Sequence, residues 1–201
     1  MDAINLKQIA VSCRRNVIRM IYDAKSGHVG GSLSSTDILV SLFFDTMRHD
    51  PEHPQLRGRD RFILSKGHSV EAYYSVLALS GYFPVEELKS YSTFGSHMIG
   101  HPNRGVRGVE LSTGALGHGL PVAVGMALAA RMDHEDGRVF VLMGDGELAE
   151  GSLWEGAMAA GHYKLENLVG IIDRNHLQIS GRTEDVMRLE DLAEKWRAFG
   201  W

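Results

Sequence analysis

Apolar residues recur every three or four positions from residue 4 to residue 24, with Arg14, Arg15 and Arg19 largely on the opposite face. That spacing predicts an amphipathic helix over 4–24. Its stripe of Ile9, Cys13, Val17 and Ile21 assigns the cysteine to the core rather than to nucleophilic chemistry. The pattern then breaks into "KSGHVGGSLSS", a glycine- and serine-rich stretch that reads as a loop, with Ser34 or Ser35 capping a helix over about 36–47. "RHDPEHPQLRGRDR" is polar, interrupted by two prolines, and reads as a surface connection. "RFILS" at 61–65 predicts a short strand, and "KGHS" leads into a helix over about 69–80. After a brief helix beyond Pro84 comes a long irregular stretch, 91–116.

Pro121 suits the first turn of a helix over 121–132, whose small residues invite close packing. Strands are expected at 139–143 and 168–172 with a helix at 152–162 between them, and a last helix over about 189–198 ending at Gly200. Strand, helix and strand in that order form a βαβ unit with parallel strands and a right-handed crossover. "VFVLM" and "LVGII" are apolar throughout, as in strands covered on both faces. The expected class is α/β, a mainly parallel twisted sheet flanked by helices. Such sheets bind ligands at the carboxyl ends of their strands.

Composition narrows the function classes. The 201 residues are 44% hydrophobic and 23% charged, in the range of one large globular domain. A net charge of −4 with mixed signs supplies no basic face for nucleic acid or membrane. A single cysteine excludes an internal disulfide and fits a reducing compartment, so the cytoplasm is expected. Glycine (23) and histidine (10) are both more frequent than is ordinary, and several of them share loops.

The chemistry gathers in "VFVLMGDGELAEGSLWEGA", where an apolar strand stops at a glycine-flanked acid and further acids follow. Asp145 lies just past the strand at 139–143, and Asn175 lies just past the strand at 168–172. If those strands are neighbours, a carboxylate, an amide oxygen and a backbone carbonyl after Asn175 make a hard, all-oxygen set suited to magnesium or calcium. A diphosphate can sit beside these acids with a divalent cation between them. The Gly146 region and the start of the following helix would add N–H groups to the same anion. The loop matches neither the nucleoside triphosphate nor the dinucleotide fingerprint.

"GDGELAEG" followed by "NLVGIIDRNHLQISG" resembles the thiamine diphosphate-binding motif. The rest resembles the amino-terminal, diphosphate-binding region of transketolases, particularly those split over two polypeptides. Supporting stretches are "SGHVGGSLSSTDIL", "RDRFILSKGHSVEAYYSVLALSG", "GHPN", "GVELSTGALGHG" and the final "FGW". The resemblance implies one diphosphate-binding domain over 1–201 and transfer of a two-carbon ketol unit from a ketose phosphate to an aldose phosphate. Thiamine diphosphate and magnesium (or calcium or manganese) would be the cofactors. Asp145, Asn175 and the carbonyl of Leu177 would hold the metal. Gly144, Gly146, Glu147 and His68 would lie at the diphosphate, and Gly114, Ala115, Leu116 and Gly117 would set backbone against the cofactor's rings. His28, His68 and His101 would line the donor-sugar channel. Glu150 and Glu155 would belong to a network across a subunit interface. The implied partner is a C-terminal subunit carrying the pyrimidine-binding domain and its activating glutamate, in a heterotetramer of two of each chain.

Histidine titrates near neutrality, and carbon–carbon bond transfer needs several proton movements, which suits the three glycine-flanked histidines. His97 and His101, like His49 and His53, have metal-like spacing, but Gly100 and the prolines around His53 argue against the helix a zinc pair uses. Ser152-Leu-Trp-Glu155 reads as a capping box, which by itself would explain Glu155. Asp173 and Arg174 read as polar turn residues. Two departures from the family pattern stand out. His118 occupies a position where glutamine is common, and a further strand beginning near Trp201, with more sheet, is expected beyond the sequence. Three rival readings remain: a related two-component transferase or synthase acting on a specialised sugar or carrier-bound acceptor, a non-catalytic truncated homologue, and a magnesium-dependent phosphatase-like enzyme using Asp145.

Overall fold

The computed structural model describes residues 3–201, which divide into two compact units, residues up to 60 with 67–114, and 61–66 with 115–201.

The first unit is helical. Helix α1 (Ala3–Ala24) buries Ala10, Cys13, Val17 and Met20 against α2 (Val29–Ser41) and α3 (Val70–Leu79), so Cys13 is a core residue as its stripe requires. Burial pushes the Cys13 thiol up to about 11, which keeps it protonated and inert. Helix α2 begins at Val29, well before the expected start, and Ser34 and Ser35 lie inside it rather than capping it. Both hydroxyls donate to the carbonyl of Gly31, and Thr36 donates to that of Ser32. Inside the helix these hydroxyls find partners one turn back, and packing against α1 and α3 holds the serine-rich stretch helical. Ser32, Ser35 and Thr36 are buried, and their small size lets neighbouring helices approach. A π-helical turn at Leu42–Thr46 extends α2.

Helix α3 is buried along Val70–Ala78, and the irregular stretch is pinned to it: Tyr73 donates to the carbonyl of Gly108 and Tyr74 to that of His101. The same stretch is anchored elsewhere by the buried Arg59, whose Nη2 lies 3.1 Å from Glu110.

The second unit carries the sheet. Strands β1 (Arg61–Leu64), β2 (Val139–Gly144) and β3 (Leu168–Asp173) are parallel in the order β1-β2-β3, with Leu64 opposite Leu142 and Gly144 opposite Asp173. Helix α4 (Gly119–Met132) packs on β2 and on α5 (Gly151–Tyr163), the crossover helix between β2 and β3. The expected α/β class with a parallel sheet is met. Strand β2 is buried along its length, whereas four of the six residues of β3 are only half-buried.

Beyond β3 the chain makes a small antiparallel pair, β4 (Leu177–Gln178) with β5 (Gly181–Arg182), then α6 (Thr183–Val186) and α7 (Leu192–Ala198). Helix α7 starts three residues later than its pattern predicts, because Asp191 caps it by accepting from the N–H of Glu194. The final tryptophan is packed: Trp201 Nε1 donates to the carbonyl of Ala157 at 2.9 Å, and its ring meets Trp196 edge-on. Among the described residues no helix is long and apolar enough to cross a membrane.

Candidate functional site

Within the second unit, the pairing of β2 with β3 brings the expected metal ligands to one edge of the sheet. Asp145 follows the last residue of β2 and is 1% exposed. Its Oδ1 accepts from the N–H of Gly146 at 2.9 Å. Its Oδ2 accepts from the N–H of His176 at 2.7 Å and from Arg174 Nη1 at 2.9 Å. Asn175 turns its Oδ1 onto the N–H of Leu177, an Asx turn that shapes the chain where it leaves β3. The donor chemistry fits a hard cation. Oδ1 of Asp145 and Oδ1 of Asn175 each take a single hydrogen bond, which leaves lone pairs for a metal, and both are oxygens.

Arg174, expected to be a turn residue, is instead the counterion of Asp145. Its guanidinium also donates to Thr183 Oγ1 and Glu184 Oε1, tying the exit of β3 to α6. Asp173 is likewise no turn residue. It ends β3 in a buried position, with Lys66 Nζ 2.5 Å from its Oδ2 and both side chains under a tenth exposed. Reading along the chain misses this pair because its members lie 107 residues apart. The only signal is a lysine directly after an apolar strand.

Glu147, expected at the diphosphate, directs its carboxylate into the protein. It accepts from the Ser65 hydroxyl, from the N–H of Gly117 at 2.9 Å and from that of Gly144 at 3.0 Å. Burial raises its carboxyl above the ordinary glutamate range, and the three donors oppose that shift. It braces the end of β1, the end of β2 and the loop before α4. Gly117 at φ +79° suits this loop, since a β-carbon there would lie 2.5 Å from that of Glu150.

The capping box is corrected. Helix α5 already starts at Gly151, and the Ser152 hydroxyl donates to the carbonyl of Gly117 rather than capping the helix. Glu150 and Glu155 are both exposed, as is Ala115; Leu116 is half-buried. His118 is exposed with its ring Nδ1 3.0 Å from the carbonyl of Leu116.

Within the first unit, the three expected histidines form one cluster. The ring of His28 lies 5.7 Å from that of His68 and 5.9 Å from that of His101, edge-on to both. His28 is exposed, and the other two are half-buried. Burial, and then the neighbouring His28, lower the His101 pKa from the usual imidazole value, so His101 is neutral at pH 7. Gly114 approaches this cluster: a β-carbon there would lie 3.2 Å from the His101 ring.

Residues 6–201 match the family described as transketolase, thiamine diphosphate-binding domain. The chain belongs to that family. It is 54% identical over 188 residues to one of the subunits of the apulose-4-phosphate transketolase of Phocaeicola vulgatus, covering 94% of this chain and 67% of that one. It is 44% identical to the 6-deoxy-6-sulfo-D-fructose transketolase subunit SqwG of a Clostridium species, covering 98% and 72%. Its fold matches the crystal structure of transketolase from Campylobacter jejuni with a TM-score of 0.94 at 34% identity, over all of this chain and 33% of that one. The chain therefore spans about a third of the solved transketolase chains it matches. Its cofactor is thiamine diphosphate, and its fold is the transketolase thiamine diphosphate-binding fold.

Proposed function

We propose that this chain is the diphosphate-binding subunit of a two-component transketolase, which moves a two-carbon ketol unit from a ketose phosphate to an aldose phosphate. The observation that carries the proposal is the pairing of β2 with β3, which sets Asp145 and Asn175 on adjacent strand ends inside a thiamine diphosphate-binding family. When bound, thiamine diphosphate supplies the electron sink that makes the carbon–carbon bond beside a ketose carbonyl cleavable.

This chain's residues anchor, orient and move protons. Asp145, Asn175 and the Leu177 carbonyl would hold a divalent cation, with magnesium the expected ion, whose charge would offset that of the diphosphate. Gly144 and Gly146 bring backbone close to that anion, and Glu147 acts indirectly by bracing the loop that carries Gly117. Gly114, Ala115 and Leu116 offer backbone to the cofactor's rings. His28, His68 and His101 bind donor hydroxyls and move protons there. A neutral His101 is able to accept a proton at pH 7. The exposed Glu150 and Glu155 face a partner subunit, which supplies the pyrimidine-binding domain. Two of each chain form the working assembly, and its place is the cytoplasm.

The names of the two relatives favour a specialised sugar over a general pentose phosphate donor. The test is to purify this chain with its partner and assay ketol transfer with thiamine diphosphate and magnesium. Donors would be apulose 4-phosphate, 6-deoxy-6-sulfo-D-fructose and an ordinary pentulose phosphate. Transfer only with both chains present is expected, with one specialised donor preferred. Turnover by this chain alone would refute the two-component reading, and no transfer from any ketose would refute the activity.

A further inference from the structure

Glu71 is fully buried one turn after His68, in the first turn of α3, and among the described residues its hydrogen-bond partners include neither lysine nor arginine. Its carboxylate takes three neutral donors. Oε1 accepts both the backbone N–H of His28 at 3.0 Å and the Tyr91 hydroxyl at 2.7 Å, and Oε2 accepts the Ser32 hydroxyl at 2.6 Å. A buried carboxylate is costly unless such donors surround it, so its presence needs a reason beyond filling space.

The backbone is shaped around it. Gly27 has φ +145°, and a β-carbon there would lie 2.5 Å from Glu71 Oε1. Only glycine lets the chain come near enough to present the next residue's N–H to that oxygen. His28 then takes the N-cap position of α2, with its carbonyl accepting from the N–H of Ser32 and its amide given to Glu71. Both backbone groups are used, and no cap bond engages the imidazole.

Three residues further along α3, Tyr74 donates its hydroxyl to the carbonyl of His101 at 2.9 Å. Residues three apart share a helix face. One face of one buried helix thus grips the backbone of His28 and of His101, and His68 sits just ahead of the same helix.

We propose that Glu71 is a positioning residue, which fixes the imidazole of His28 through its backbone and couples that position to Tyr91. The proposal rests on the reading above that His28 acts on the donor sugar. Tyr91 opens the irregular stretch that reaches His101, and its hydroxyl shares one oxygen with the His28 amide. Movement of this stretch therefore changes the hydrogen bond that places His28.

The test combines a double-mutant cycle with one spectroscopic signal. In the assembled two-chain enzyme, Glu71→Gln keeps shape and removes charge, and it is expected to lower kcat/KM for the donor about tenfold, as misplacement of a catalytic group does. In a His28→Ala background the same change is expected to cost less than about twofold, because the group being positioned is gone. Equal loss in both backgrounds overturns the proposal, since a purely structural glutamate acts regardless of His28.

Independently of turnover, the His28 amide proton in the full chain is expected far downfield and slow to exchange, as a donor to a buried carboxylate. Glu71→Gln should move it upfield, and Tyr91→Phe, which opens no polar cavity and serves if the first variant folds poorly, should displace the same resonance. An amide resonance unmoved by either variant overturns the assignment. Full transfer by His28→Ala would instead defeat the role given to His28, while the amide signal still reports on Glu71.

Discussion

Replacing Glu147 by alanine would strand three donors at once, the N–H groups of Gly117 and Gly144 and the hydroxyl of Ser65. The hydroxyl is able to rotate to another acceptor, but the two N–H groups are fixed by the backbone. Each buried donor left without a partner costs about 1–3 kcal/mol, so the two give about 2–6 kcal/mol. Relief from burying the carboxylate offsets part of this, for a net loss of about 3 kcal/mol, a large share of the ~5–15 kcal/mol that domains possess. Glu147→Gln should fall between, because its NH2 must face one of the two N–H groups, at a cost of about 1–3 kcal/mol.

The assay is urea unfolding of the full chain, with midpoint shifts read at unchanged slope. Its pH dependence carries a sign. The folded carboxyl titrates above the ordinary 4.5, so the native state holds its proton longer than the unfolded state. The resulting stability is complete below 4.5 and fades as pH rises through the folded value. The gap between wild type and Glu147→Gln should therefore narrow as pH rises over that window. A loss below about 1 kcal/mol for Glu147→Ala would show that water satisfies these donors and would refute the bracing role.

Lys66→Met should cost about 3–5 kcal/mol, since it removes the buried countercharge of Asp173, and a Lys66→Met/Asp173→Leu double variant should recover much of it in the same unfolding assay. Asp145→Ala should weaken magnesium-dependent binding of thiamine diphosphate more than about 100-fold by calorimetry on the two-chain enzyme, and comparable binding would remove the metal bridge. Arg174→Gln should act in the opposite sense and tighten magnesium binding several-fold, because the guanidinium 2.9 Å from Asp145 competes with the cation for that charge. His101 has a lowered folded pKa, so the stability tied to its neutral form is present above 6.5 and falls as pH drops below 6.5. Proton NMR of the imidazole should show it titrating below the usual imidazole value.

Helices α1 and α3, strands β1 to β3 and crossover helix α5 were legible from the sequence because an apolar stripe or a continuous apolar run is a local pattern. The juxtaposition of Asp145 and Asn175 was legible as well: each follows a readable strand, and one assumption, that the strands are neighbours, joins them. The start of α2 was not legible, because serine and glycine favour loops until tertiary packing buries the face that carries Ser32, Ser35 and Thr36. Nor were the partners of the buried charges. Lys66 meets Asp173, Glu147 meets Ser65 and Glu71 meets His28 across separations of 107, 82 and 43 residues.

The sequence by itself thus determined the α/β class, the family and the positions of Asp145 and Asn175 at strand ends, since apolar patterning and short motifs are local properties. The tertiary structure decided which acids meet at the strand ends and which brace distant loops. A carboxylate's role depends on the donors that surround it after folding, and those donors come from distant parts of the chain.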